Sequence, residues 1–245
     1  MTKRRILKLT GSDCTDFLQG LVTNDVAKAS DGLIYAAMLT PQGKYIADFF
    51  LVNRDNAVLL DVAETHADML STRLNMYKLR ADVTIEDSGL HLHRGLGEVP
   101  DDAWPDPRHS EMGWRAYRRD SQSDDDTDWQ ALRVELGVPE TGIELTADSF
   151  ILEMGFERLS GVDFRKGCYV GQEVTARMKH KTELRKGLAQ VSVSGQAEPG
   201  SEITADGKTA GVLHTVAGNK ALAYLRFDRA KAAMQAGDAT LERIE

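Results

Sequence analysis

Cysteine occurs only twice in 245 residues, at Cys14 and Cys168, with no C-x-x-C spacing. That excludes a disulfide-stapled scaffold, a zinc ribbon and a complete set of cluster-ligating thiolates. Long apolar runs are missing too: none approaches the roughly 18 to 20 residues that span a bilayer, so no membrane association is expected. The opening M-T-K-R-R-I-L-K-L-T has no apolar stretch or small-residue cleavage site of a secretory leader, and a reducing cytoplasmic location fits best. There is no basic excess. A net charge of −8 argues against direct nucleic-acid binding, which needs a cationic face for phosphates. The six histidines show no H-x-x-x-H or His/carboxylate spacing, so no metal site is expected. His93 to Gly97, H-R-G-L-G, lacks the third glycine and the strand-to-helix setting of a dinucleotide loop. What remains, 42% hydrophobic and 28% charged residues, is an ordinary globular composition with enough chain for two or three small cores.

Read in order, residues 4–9 form a strand and Gly11-Ser12 opens a helix, with Phe17, Leu18 and Leu21 at apolar spacing. Thr23-Asn24-Asp25 is a polar turn. Residues 33–39 and 44–52 are strands joined by Thr40-Pro41-Gln42-Gly43, a hairpin signal in which proline presets φ and glycine takes the positive value. Asp48 stands alone in the apolar run Tyr45 to Val52, and a buried unpaired aspartate is costly, so it should have partners or bind something. Residues 57–62 are a strand, Glu64 to Leu79 an amphipathic helix, and 83–85 strand again, an order that suggests a split-βαβ, ferredoxin-like unit. Residues 97–128, rich in Asp and Pro, read as loops around one short strand at 115–118, followed by a helix from Asp128 to Glu135. Glu153 is another lone carboxylate in an apolar setting. Short strands at 185–194, 208–216 and 219–226, separated by glycine turns, have the look of a small β-barrel.

The stretch from Asp163 to Arg177, D-F-R-K-G-C-Y-V-G-Q-E-V-T-A-R, is the most site-like in the chain. Gly167 and Gly171 bracket Cys168, Tyr169 and Val170, allowing positive φ or the close approach of another group. From Gln172 the pattern favours a helix over a strand. Cys168 would then precede a helix N-terminus beside Arg165 and Lys166, a setting that favours the thiolate. The same turn can simply be a packed corner between domains, the commoner setting of a lone cysteine. Basic residues concentrate between Arg165 and Lys186, where an anionic tail could bind, whereas Ser123 to Asp128 is acidic.

K-G-C-Y-V-G-Q-E at Lys166 to Glu173 resembles the signature of YgfZ-type folate-binding proteins, relatives of the glycine-cleavage T-protein that serve iron-sulfur cluster assembly. The resemblance extends to Gly11–Val26, to L-T-P-Q-G-K at Leu39–Lys44 with Asp48, and to Y-K-L-R-A-D-V at Tyr77–Val83, in the family's order. It covers most of the chain outside about residues 91–150. It implies an α+β, T-protein-like architecture: a ferredoxin-like unit at 1–90, a reduced second α+β unit at 91–182 carrying the signature, and a C-terminal β-barrel at 183–245. It further implies tetrahydrofolate or a folate derivative as cofactor, and iron-sulfur client or assembly proteins as partners. Asn24 is then expected beside the folate cavity, and Asp48, Glu153 and Glu173 as acceptors for the pterin's paired N–H groups, Glu153 matching the glutamate of the T-protein's E-A-G segment. Gln172 falls with them, Arg177 and Lys166 suit the anionic tail, and Tyr169 can pack on a ring. Cys168 is the expected reactive group, with Lys166 lowering its pKa. One departure matters: where the T-protein has paired aspartates, this chain has Ala47-Asp48, which weakens the alternative of folate-dependent aminomethyl transfer. A third reading, a Cys-His hydrolase using Cys168 with His180 or His66, lacks any oxyanion-hole signature.

Overall fold

The computed structural model describes residues 3–123, 125–180, 184–231 and 233–244; Asp124 of the acidic run and Lys181 of the basic run lie outside them. The chain forms two compact bodies, a larger one from residues 2–125 and 156–176 and a smaller one from 126–155 and 177–245.

In the larger body, β1 (Arg4–Thr10), β2 (Ile34–Leu39), β3 (Tyr45–Arg54), β4 (Ala57–Ala63) and β5 (Thr84–Asp87) form one antiparallel sheet in the order β2-β3-β4-β1-β5. The four strands β5-β1-β4-β3 are the split βαβ arrangement expected from the sequence, and β2 adds a fifth at the edge. Strands β2 and β4 are buried along their whole length and β3 nearly so. This matches their continuous apolar runs, since a strand covered on both faces does not alternate. Helix α1 (Cys14–Gln19) follows β1, and α2 (Glu64–Lys78) precedes β5. Ala67, Leu70 and Leu74 on one face of α2 join the same core as Leu7, Leu9, Phe49, Leu51 and Leu60. Each fully buried leucine contributes about 1.5–3 kcal/mol.

A second sheet pairs β6 (His91–Gly95), β8 (Trp114–Arg118) and β7 (Ala103–Pro105) in that order. The sequence pattern suggests only one strand in this region. The other two, H-L-H-R-G and A-W-P, are short, polar or half-exposed, and show no alternation.

The smaller body holds α3 (Trp129–Glu135) and a closed six-strand barrel, β10-β11-β12-β9-β14-β13. Its strands are β9 (Lys186–Ser194), β10 (Glu202–Ala205), β11 (Lys208–Ala217), β12 (Lys220–Arg226), β13 (Met234–Ala236) and β14 (Ala239–Arg243). Asp128 caps α3 by accepting from Ala131 N at 2.9 Å. Arg133 of α3 is buried, pairs with Glu144 at 2.9 Å and also bonds the Thr215 hydroxyl of β11, which fixes the helix to the barrel. Helix α4 (Gln172–His180) begins at the end of the glycine-rich signature, where the sequence favours it.

Candidate functional site

Three separated sequence motifs meet in the larger body around the signature. Lys166 is buried, and its Nζ donates to the carbonyls of Gln19 at 2.8 Å, Val22 at 2.6 Å and Asn24 at 2.9 Å. Backbone bonds run alongside: Asp163 N to Thr23 O at 3.0 Å and Val170 N to Gly20 O at 3.2 Å. Thr23 Oγ1 donates to Gly161 O at 2.7 Å and accepts from Ala37 N at 2.8 Å. The Asn24 amide nitrogen bridges Tyr35 O and Ser160 O, both at 2.8 Å. Segment 160–170 is thereby laced to segment 19–24.

The hairpin turn L-T-P-Q-G-K supplies the third motif. Gly171 has φ +85°, and a Cβ there would stand 2.6 Å from Thr40 O; Gly43 has φ +74°, and a Cβ there would stand 2.8 Å from the Val174 side chain. The two turns fit together because neither glycine carries a side chain. Gly171→Ala is therefore expected to cost about 1–3 kcal/mol, through a strained φ and a backbone collision. A fall in the thermal midpoint measures it, and an unchanged midpoint would mean that the turns do not interlock.

This scaffold decides where each expected site residue goes. Lys166 and Tyr169 are turned inward, with Nζ 5.2 Å from the ring centroid, while Gly167 and Cys168 are exposed. Both cysteines are free thiols, and Cys14 is the buried one. The sequence reading gives Lys166 the role of a cation that lowers the pKa of the thiol; the structure shows what its ammonium touches. All three of its N–H groups are aimed at backbone carbonyls of 19–24, so it braces the loop that carries Cys168. Burial pushes its pKa down to about 8 against the opposing pull of Asp25 and Asp163, so it is still protonated at neutral pH. Asn24, likewise, has its amide engaged in bracing.

Asp48 is buried and accepts from Tyr45 Oη at 2.6 Å and Tyr35 Oη at 3.0 Å. The lone carboxylate has the partners its burial demands, and they are phenols within the sheet. Burial and the Asp48 charge hold the Tyr35 phenol far above its ordinary pKa. In the smaller body, Glu153 accepts from Tyr224 Oη at 2.5 Å, and burial together with Glu153 pushes that phenol up. Gln172 starts α4, and Glu173 and Arg177, four residues apart and both exposed, share one face of it. His66 contacts Thr65 and lies 6.3 Å, ring to ring, from Tyr45. Among the described residues no group of three or more His, Cys, Asp or Glu side chains could hold a metal.

A cavity of about 470 Å³ in the larger body is lined by Asn24, Lys28, Tyr35, Glu157, Asp163 and Arg165 among polar groups, with apolar walls that include Ile34, Pro107 and Phe164. Lys28 pairs with Asp163 at 2.7 Å. Tyr35, whose hydroxyl donates to Asp48, lines this cavity; Asp48 itself is not among the lining residues. Sequence reasoning passed over Lys28, Tyr35 and Glu157. The only signal was their nearness in the chain to T-N-D, to the first hairpin strand and to the segment before the signature.

Comparison with known proteins follows the same lines. Residues 185–244 match the family described as the CAF17 C-terminal β-barrel domain. The mouse mitochondrial iron-sulfur cluster assembly factor IBA57 is 31% identical, over 93% of this chain and 77% of that protein, and the human one 29%, over 93% and 77%. A homolog from Mycosarcoma maydis is 30% identical over 81% of this chain, which spans 58% of that longer protein. The crystal structure of glycine cleavage system aminomethyltransferase T from Bartonella henselae superposes with a TM-score of 0.79 at 12% identity, covering 99% of this chain and 82% of that one, which is a likeness of fold. No described helix is long and apolar enough to cross a membrane. On the strength of the mouse relative, the chain belongs to the IBA57 family of iron-sulfur cluster assembly factors.

Proposed function

We propose that this protein binds tetrahydrofolate or a folate derivative in the larger body and supports assembly or repair of iron-sulfur enzymes in the cytoplasm, with Cys168 as its reactive group. The observation that carries the reading is the braced loop. Three hydrogen bonds from one buried ammonium hold Lys166 in place two residues before an exposed thiol. A merely structural cysteine has no need of such a mount, whereas a thiol that meets another protein must be presented rigidly.

The cavity's donor and acceptor set fits a folate. Glu157 offers a carboxylate for the paired N–H groups of a pterin, Phe164 and the apolar wall flank a flat ring, and Lys28 and Arg165 suit an anionic glutamate tail. Bound there, the reduced pterin would supply one-carbon or electron chemistry. The chain's own residues bind, orient and shield it. Asp48, drawn into the sheet by Tyr35 and Tyr45, adds little to aminomethyl transfer, in keeping with the missing second aspartate at Ala47.

Two measurements test the reading. In a strain lacking the native gene, Cys168→Ala should fail to restore the activity of [4Fe–4S] enzymes, while the purified variant keeps wild-type thermal stability and tetrahydrofolate affinity. Undiminished cluster-enzyme activity would remove Cys168 from the mechanism. Arg165→Ala should weaken tetrahydrofolate about tenfold in calorimetric titration, the loss of one charge-assisted contact. If wild type binds no tetrahydrofolate, the cofactor assignment falls.

A further inference from the structure

The C-terminal end of α2 leaves an unusual amount of apolar surface in water. Met76, Tyr77 and Leu79 are 71%, 40% and 88% exposed. The chain turns sharply there, with Ala81 N donating to Lys78 O at 2.8 Å. Leu79 holds the second position of that turn at φ 46° and ψ −102°, close to the type II′ geometry that glycine normally supplies. A leucine at this position strains the backbone and also exposes an isobutyl group, and nothing within the described chain covers it.

The turn is not loose. Asp82 N donates to Asp13 Oδ2 at 2.8 Å, and Ser12 N and Oγ both donate to Asp82 Oδ2 at 3.1 Å, which pins the end of the turn to the β1–α1 connection. Leu79 is therefore held outward. The end of α2 and the turn, residues 69–81, M-L-S-T-R-L-N-M-Y-K-L-R-A, carry Arg73, Lys78 and Arg80 and no acidic residue in a chain of net charge −8, while the carboxylates at the base of the turn, Asp82 and Asp13, accept from Ser12 and from Asp82 N. Arg73 and Arg80 are exposed. A strained, rigidly held apolar side chain flanked in the chain by Lys78 and Arg80, with Arg73 on the preceding helix, has the make-up of an interface anchor.

We propose that this turn is the docking surface for an acidic protein partner in cluster assembly, which receives Leu79 in an apolar pocket and meets Arg73, Lys78 and Arg80 with carboxylates. The identity of the partner class rests on the iron-sulfur reading above; the surface itself rests on the turn. Charge complementarity selects an acidic occupant.

Leu79→Gly is the discriminating variant, because glycine suits the turn. In the complementation strain it should lower restored [4Fe–4S] enzyme activity by at least about tenfold, the scale of a lost anchor. In the purified protein the thermal midpoint should be unchanged or raised, and tetrahydrofolate affinity unchanged. The double charge reversal Arg73→Glu, Arg80→Glu should give the same loss. Wild-type activity in Leu79→Gly would overturn the proposal, as would a lowered midpoint, which would make Leu79 a packing residue. Leu79-dependent self-association in sedimentation velocity, or Leu79-dependent flotation with phosphatidylglycerol vesicles, would assign the surface to another occupant and overturn it as well. Failure of the wild-type chain to restore any activity would instead defeat the cluster-assembly reading and, with it, the named partner.

Discussion

Replacing Asp61 by asparagine is expected to destabilise the larger body by about 3–5 kcal/mol, the usual consequence of breaking a buried ion network from one side. Asp61 is fully buried on β4. Its Oδ1 accepts from Arg4 Nε at 2.6 Å, and its Oδ2 from Arg115 Nη2 at 2.6 Å and Tyr117 Oη at 3.1 Å. Asparagine keeps the shape and removes the charge that two arginines face. Arg115 would then depend on Asp106, which lies 3.5 Å away and is already held by Arg108 at 2.7 Å. These cations also lie over buried rings: Arg115 sits 3.9 Å and Arg108 4.8 Å over the Phe50 ring, and Arg108 lies 5.6 Å from that of Tyr35, which lines the cavity. Denaturant titration measures the loss, and a change below about 1 kcal/mol would refute the network's role. Arg115→Met in the Asp61→Asn background should cost far less than in wild type, since the two side chains act as one unit. The pH dependence has a definite sign. Burial pushes the Asp61 carboxyl up, but Arg115 and Arg4 outweigh it and hold the folded value below the ordinary 3.8. Its contribution is thus complete above that pH and drains away as pH falls through the folded value. Asp61→Asn should accordingly show a shallower acid limb than wild type.

Asp61 also marks how far the sequence could be read. One carboxylate in an apolar strand is visible at Asp48 and equally at Asp61, in A-V-L-L-D-V-A. Its partners Arg115 and Tyr117, however, come from the short strand expected at 115–118, and nothing in the Asp- and Pro-rich sequence around it sets that strand against β4. Asp106, Arg108 and Arg115 are all buried there, because each charge has a partner that only the tertiary fold supplies. The central strands and α2 were legible because long apolar runs and a clear helical face override local ambiguity. Strands β10 and β13, four and three residues long, close the barrel but are too short to carry a period. The two bodies also interleave in sequence, crossing near residues 125, 155 and 176, a division that no linear reading of composition marks. At the site, the glycine turn and its thiol were evident from residue type. The acceptors of Lys166 were not: they are main-chain carbonyls more than 140 residues earlier, and a carbonyl has no sequence signature.

Lys166→Met should therefore cost about 2–4 kcal/mol and abolish cluster-enzyme support as completely as Cys168→Ala does. The methionine fills the space of the aliphatic stem, but the carbonyls of Gln19, Val22 and Asn24 lose their donor, and each buried acceptor left unpaired costs about 1–3 kcal/mol before water reaches it. The damage should be local. Hydrogen exchange should accelerate at Val170 N and Asp163 N, which bond to Gly20 O and Thr23 O, while the barrel amides keep their protection. Lys166→Arg separates bracing from electrostatics. Arginine retains the positive charge, but its planar fork cannot send three donors to three carbonyls that a tetrahedral ammonium reaches together. If Lys166 acts by charge on the thiol, the arginine variant should keep wild-type thiol reactivity and cellular activity. If it acts by holding the loop, the arginine variant should lose the protection of Val170 N and most of the activity despite its charge. The three bonds at 2.6–2.9 Å favour the second outcome, because an ammonium turned into a cage of carbonyls is positioning main chain.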